Sequence, residues 1–452
     1  MIASLRPELR PMLRLAVPVV FAELGWMGMG VVDAVMVGRI DAESLGAVSL
    51  GRAMFVVVAV LGVGLLLGMD TLVSRAFGAG NLEDCRRSLV HGVYLALLMA
   101  GPATLLLHGL AALLLRWDTD PTVRELAVAY LRTLTWSALP IFLYTAFRRY
   151  LQAVNRVRAV MVALISANLI NLLFNWVFIF GRLGAPALGV RGAAWATLAS
   201  MCYMALFLLV ATALHERSSG ASLWRIRRSF DGTRMAALLR LGLPAAGQLL
   251  LEVGAFATGT ALAGRLDAAS LAAHHIALTA ASLTAMVPLG ISSAAAVRVG
   301  QALGRRDPEG SARAGWTALL FGAAFMGLAA LVFVLFPRAL VRGFTTDAAV
   351  IAPGVSLLLV AAVFQLFDGV QMVATGALRG AGNTRTPMVW NLVGYWLLGL
   401  PLGYWLCFVE RRGAVGLWIG LALGLIVVGV VLLRVWALQA RTWRRLPAGS
   451  AV

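Results

Sequence analysis

Lysine is missing from this chain: all 38 basic residues are arginine. The bias reads as codon usage rather than chemistry. Charge of either sign is scarce. Only 13% of the 452 residues are charged while 61% are hydrophobic, against about 25% and about 45–50% in a soluble domain. A water-soluble globular fold is therefore excluded. Cysteine is rare too: Cys85, Cys202 and Cys407 are scattered, which offers neither a disulfide framework nor a CxxC metal site. The five histidines form no HExxH, and GxSxG and clustered Cys/His are also absent, so an enzyme, a metal centre and a cofactor are not expected. The net charge of +18 comes from short arginine clusters set between apolar runs. No continuous basic groove results, and nucleic acid is not an expected partner.

Long apolar runs are what the chain has instead. Twelve candidate spans lie near 15–37, 46–72, 89–115, 126–148, 159–181, 190–214, 241–263, 270–296, 314–336, 350–377, 387–409 and 414–436. Each can cross a bilayer, for which about 20 residues suffice. No cleavable signal precedes the first, so it is expected to stay as a helix. An even count puts both termini on one side, and 26 of the 38 arginines fall on that side. The positive-inside rule then places both termini in the cytoplasm of a bacterial-type inner membrane. A monomer surrounded by lipid is expected.

The sequence also repeats. GRIDAESL at Gly38–Leu45 returns as GRLDAASL at Gly264–Leu271, and the same offset of 226 takes Pro18 to Pro244, Gly64 to Gly290, Gly78 to Gly304 and Glu83 to Glu309. Further on the register drifts: Asn155 aligns with Asn383 and Gly192 with Gly416. Six spans per half make this a parallel repeat. The expected fold is an all-α polytopic membrane protein with twelve transmembrane helices in two pseudo-symmetric six-helix bundles. Residues 1–214 form one bundle and 241–452 the other, with a cytoplasmic tail. The stretch 215–240 is expected to be a cytoplasmic linker, with a basic segment around Trp224 and Arg228 that could instead lie on an anionic leaflet.

Five acids fall inside spans: Glu23, Asp33, Asp70, Glu252 and Asp368. Glu252 stands eleven residues from either end of 241–263, where a carboxylate costs about 2.5–3.5 kcal/mol on insertion scales. Gln248 and Phe256 lie one turn to either side of it on the same face. Asp368 is flanked by Gln365 and Gln371, with Phe364 one turn before. The repeat requires neither acid, since Glu252 aligns with Trp26 and Asp368 with Pro140. Two carboxyls facing one cavity repel, so a proton or a cation would neutralise the pair. The alternative is that each is satisfied privately by a neighbouring helix. In the first half, Asp33 is joined by Asn168, Asn171 and Asn175 at spacings of three and four, and by Thr197. Their oxygens could coordinate a monovalent cation or hold a protonated Asp, or could serve as interhelical hydrogen bonds. Asp70 is expected near a membrane face within reach of Arg75 or water, and Glu23 on another part of its helix from Asp33; both stay outside the candidate site. His274 and His275 are read as packing and hydrogen-bonding residues.

LAVPVVFAELGWMGMGVVDAVMVGRI, INLLFNWVFIFG, GLPAAGQLLLEVGAF and FQLFDGVQMVATGALRGAGNTRTPM together resemble the multidrug and toxic compound extrusion (MATE) family. The likeness covers essentially the whole chain, and Glu252 with Asp368 resembles the NorM-type branch. That branch uses a corresponding Glu and Asp in the second bundle for a coupling cation, Na+ or H+. By the same resemblance Asp33, Asn171, Asn175 and Thr197 match first-bundle cation positions. The DinF-type branch carries an acid where Asn175 stands, and the aromatic before Asp368 is here Phe364, without a hydroxyl. The resemblance implies alternating-access antiport: cation uptake drives efflux of small amphipathic, often cationic, organic compounds. A lipid-linked oligosaccharide flippase of the same superfamily is the nearest rival. It would need intramembrane arginines facing a cavity, for which Arg52, Arg148 and Arg149 are the borderline cases. A channel fits less well, because no filter loop repeats.

Overall fold

The computed structural model describes residues 2–116, 120–218 and 230–445. The basic segment around Trp224 and Arg228 lies outside them. Among the described residues, twelve helices are long and apolar enough to span a membrane. They are α1 Leu5–Val37, α2 Ala42–Gly78, α3 Leu82–Leu114, α4 Pro121–Ala153, α5 Val157–Phe180, α6 Val190–Ser218, α7 Gly232–Ala263, α8 Ala268–Gly304, α9 Pro308–Leu335, α10 Ala348–Gly380, α11 Arg385–Val409 and α12 Gly413–Trp443. Most run beyond the apolar stretches that announce them. The helix α7 already begins at Gly232, inside the stretch expected to be a linker.

The repeat is written into the helix starts. Asp41 accepts the Ser44 N–H at 2.6 Å to open α2, and Asp267 accepts the Ser270 N–H at 2.9 Å to open α8. Asn81 and Asp307 cap α3 and α9 in the same way, and Asp120 and Asp347 cap α4 and α10. Each such cap contributes about 1 kcal/mol. The Ser44 N–H holds the Asp41 carboxyl below its usual range, as the Ser270 hydroxyl and N–H do for Asp267. One alignment needs correcting. The Arg156 N–H bonds the Leu151 carbonyl and the Asn383 N–H bonds that of Leu378, so Asn383 matches Arg156, not Asn155. Asn155 instead matches Gly382, and both adopt left-handed backbone, with φ of 62° and 82°. In that register Asp368 aligns with Ile141 rather than Pro140.

The chain forms two compact units. One holds residues 21–77 and 81–246, the other 1–20, 78–80 and 247–452. The opening segments of α1 and α7 are thus grouped with helices of the other sequence half. In the first unit α4 is the hub, packed against α2, α3 and α6; in the second α10 is the hub, packed against α8, α9 and α12. Close approach there depends on glycine. A Cβ on Gly376 or Gly380 of α10 would collide with the α8 backbone at Ser292 or Ala296. Gly394, Gly399 and Gly403 of α11 likewise meet Gly420, Gly424 and Leu417 of α12 through backbone atoms. Over Leu392–Gly399 and again over Trp405–Val409, α11 widens to π-helical turns, a departure often found at functional sites.

Candidate functional site

In the second unit Glu252 of α7 and Asp368 of α10 come close enough to interact electrostatically. Glu252 accepts hydrogen bonds from the Gln248 amide at 3.5 Å, one turn back on its own helix, and from Gln371 of α10. The same Gln371 nitrogen donates to Asn391 Oδ1 of α11 at 3.3 Å. One turn beyond Asn391, in the wide turn of α11, the fully buried Tyr395 lies within the field of both acids. Phe256 packs on the Tyr395 ring at 5.9 Å, and the Trp396 indole N–H bonds the Leu251 carbonyl at 2.9 Å, tying α11 to the turn that carries Glu252. No basic side chain pairs with either acid among the described residues. Two buried oxygens beside them, Tyr395 Oη and Gln371 Oε1, have no hydrogen-bond partner. The site is rich in oxygen and carries two acids, Asp368 buried and Glu252 half-buried.

Two of the residues expected beside the acids face elsewhere. Gln365 donates to Thr284 Oγ1 of α8 at 2.6 Å and makes none of the acids' hydrogen bonds. Phe364 packs on Trp418 of α12 at 5.9 Å and, with Phe256 and His274, lines a narrow apolar crevice. That crevice is held by His274. The Trp418 indole N–H donates to His274 Nδ1 at 2.9 Å, and His274 Nε2 meets Thr260 Oγ1 at 2.9 Å. Because Thr260 donates onward to the Phe256 carbonyl at 3.0 Å, the proton sits on Nε2 and the ring is satisfied on both sides.

In the first unit a separate cluster surrounds Asp33. Its Oδ1 accepts from Asn171 at 3.1 Å and Asn175 at 2.7 Å, and its Oδ2 from Thr197 at 3.1 Å. Arg52 of α2 stands 3.9 Å from Oδ2, and the Tyr130 hydroxyl adjoins Thr197. Asn168 lies apart: it donates to the Gly25 carbonyl at 2.9 Å and joins α5 to α1. Glu23 pairs with Arg148, and Asp70, fully buried, lies 3.5 Å from Arg149. The arginines that would speak for a phosphate-binding cavity are therefore matched by acids within the same unit.

The family model MatE matches residues 18–177 and again 244–405. Its two matches begin 226 residues apart, the offset of the internal repeat, and together they take in well over half the chain. The chain belongs to the MatE family. A probable multidrug resistance protein NorM of Mesorhizobium japonicum is 41% identical over 444 residues, 96% of this chain and 95% of the relative. The multidrug resistance protein NorM of Aliivibrio fischeri is 31% identical over 94% and 93% of the two chains. The crystal structure of the eukaryotic MATE transporter AtDTX14 superposes with a TM-score of 0.86 over 98% and 99% of the chains, at 22% identity. A MOP superfamily transporter from Pyrococcus furiosus gives a TM-score of 0.88 over 96% of each chain, at 22% identity. At that identity the two structures speak for the fold alone.

Within this MatE chain, the sequence alone does not single out Tyr130, Asn391, Tyr395 and Trp396. Arg52, a borderline intramembrane arginine in the sequence, lies within α2, which starts at Ala42, and stands beside Asp33. Asn391 and Tyr395 carried a usable signal: two polar groups one turn apart in an otherwise apolar span.

Proposed function

We propose that this MatE chain is a secondary active multidrug efflux antiporter of the inner membrane, exchanging Na+ or H+ for small amphipathic, often cationic, organic compounds. On this reading both termini lie in the cytoplasm, the side that carries most of the arginines. The observation that carries this reading is the electrostatic proximity of Glu252 and Asp368, neither of which has a basic partner among the described residues. An uncompensated pair of carboxylates inside membrane spans demands a proton or a cation, and one that can leave again. A cationic compound and the coupling ion that need the same carboxylates have opposed preferences for the two access states. Such a difference in affinity is the only way a ligand shifts a conformational equilibrium. The names carried by the relatives, multidrug resistance protein NorM, agree with the substrate class.

The test is ethidium efflux from proteoliposomes with sodium and proton gradients imposed one at a time. One gradient is expected to drive efflux in the native protein. Glu252→Gln and Asp368→Asn should each lower the driven rate at least about tenfold, the cost of roughly 1.4 kcal/mol or more. Undiminished driven efflux in both variants refutes the assignment. A reporter fused to the C-terminus, fluorescent only in the cytoplasm, checks the orientation.

A further inference from the structure

The Asp33 cluster holds an element that the acid pair of the second unit lacks. Arg52 projects from α2 with its Nη1 3.9 Å from Asp33 Oδ2. Its guanidinium lies against Gly30, where a Cβ would sit 2.6 Å from Cζ. Gly30 and Asp33 are three residues apart on α1 and so share a face, which means that the missing side chain at Gly30 is what lets the arginine reach the acid. Arginine keeps its charge at any pH a protein meets. When Asp33 is ionised, it and Arg52, whose side chain is 36% exposed, sum to zero, and a further cation brought to the buried Asp33 would be an uncompensated charge. The repeat does not carry this arrangement over, since Asp33 aligns with Gly259 and Arg52 with Leu278.

We propose that the Arg52 guanidinium is a tethered, permanent counter-cation of Asp33 that takes the place of a coupling ion in the first unit, so that cation loading is confined to Glu252 and Asp368. The second clause rests on the antiport reading; the first does not. Removing the guanidinium frees Asp33 Oδ2, with Thr197 Oγ1 beside it and the buried, unpartnered Asn175 Oδ1 within the same cluster. These oxygens suit a small monovalent cation or a proton.

The experiment uses the full-length protein with Glu252→Gln and Asp368→Asn in place, so that the second unit contributes nothing. Equilibrium binding of radioactive sodium and uptake of protons are measured on this parent and on three derivatives. The parent and its Arg52→Lys derivative are expected to take up neither ion at the first unit. Arg52→Gln should gain about one cation per protein, and Gly30→Ala, which keeps every charge but pushes the guanidinium off Asp33, should gain a fraction of one. A gain in either variant supports the proposal and covers the case in which one of them fails to fold. Uptake of about one ion by the parent with Arg52 intact, or none by either variant, overturns it. Because both second-unit acids are absent throughout, the outcome is independent of whether they couple transport, which the efflux assay decides.

Discussion

Tyr395 is buried completely, sees both acids, and has a hydroxyl without a hydrogen-bond partner. An unsatisfied buried hydroxyl costs about 1–3 kcal/mol, so its retention needs a compensating gain in some state of the molecule. On the antiport reading, a coupling ion held between Glu252 and Asp368 would supply one, with the hydroxyl as an oxygen ligand. Tyr395→Phe should then leave the unfolding midpoint unchanged or raise it, while weakening half-saturation by the driving cation about tenfold, a loss of roughly 1.4 kcal/mol. Thermal unfolding in detergent and the cation dependence of efflux measure the two separately. A variant that loses stability and keeps its cation affinity would make the hydroxyl merely structural. Glu252 and Asp368 were legible in the sequence because an acid in mid-span stands out against hydrocarbon. The tyrosine was not, being an ordinary aromatic in an apolar run, and the pairing of Arg52 with Asp33 was not, because the two stand on different helices.

Among the elements, α11 is the one whose conformation differs from what its composition suggests. Apolar periodicity announces a regular helix near 387–409, and the structure has wide turns at Leu392–Gly399 and Trp405–Val409. The cause lies in its neighbour. Gly394 and Gly403 approach Gly424 and Gly420 of α12 backbone to backbone, closer than any side chain allows, and this seam carries Asn391 and Tyr395 toward the acids. Gly424→Ala places a methyl on the Gly394 carbonyl. Overpacking of this kind typically costs about 1–3 kcal/mol, and here it also shifts the turn that holds Tyr395. Reduced thermal stability together with weakened cation dependence is expected. Gly327→Ala on α9, where a Cβ meets nothing within 4 Å, is the matched control and should be silent or slightly stabilising. The twelve helices themselves were legible from hydropathy. Their ends were not, because polar caps such as Asp267 and Asp307 prolong each helix past its apolar run.

For the molecule as a whole, the internal repeat was visible as a shared octapeptide, and the structure adds matched caps at equivalent positions in both halves. The grouping of the opening segments of α1 and α7 was invisible, since the contacts that decide it join residues far apart in sequence. Glu8 of α1 receives three hydrogen bonds from Arg298 of α8, from Nε at 3.2 Å and from Nη2 at 2.9 and 2.8 Å, across 290 residues. Arg298 also bonds Gln301 at 3.3 Å. Both partners are mostly shielded, with side chains 15% and 11% exposed, so the pair is a bidentate, largely desolvated one rather than a surface contact. Removing one member leaves the other charge stranded, a loss on the order of 3 kcal/mol for a buried pair, discounted here for the residual exposure. Glu8→Ala and Arg298→Ala should therefore each lower the unfolding midpoint, and the double variant should lose less than their sum. Restored stability in the charge-swapped pair Glu8→Arg with Arg298→Glu would assign the effect to the ion pair itself. Additive losses, with no recovery on swapping, would mean that the opening segment of α1 is held by its apolar contacts alone.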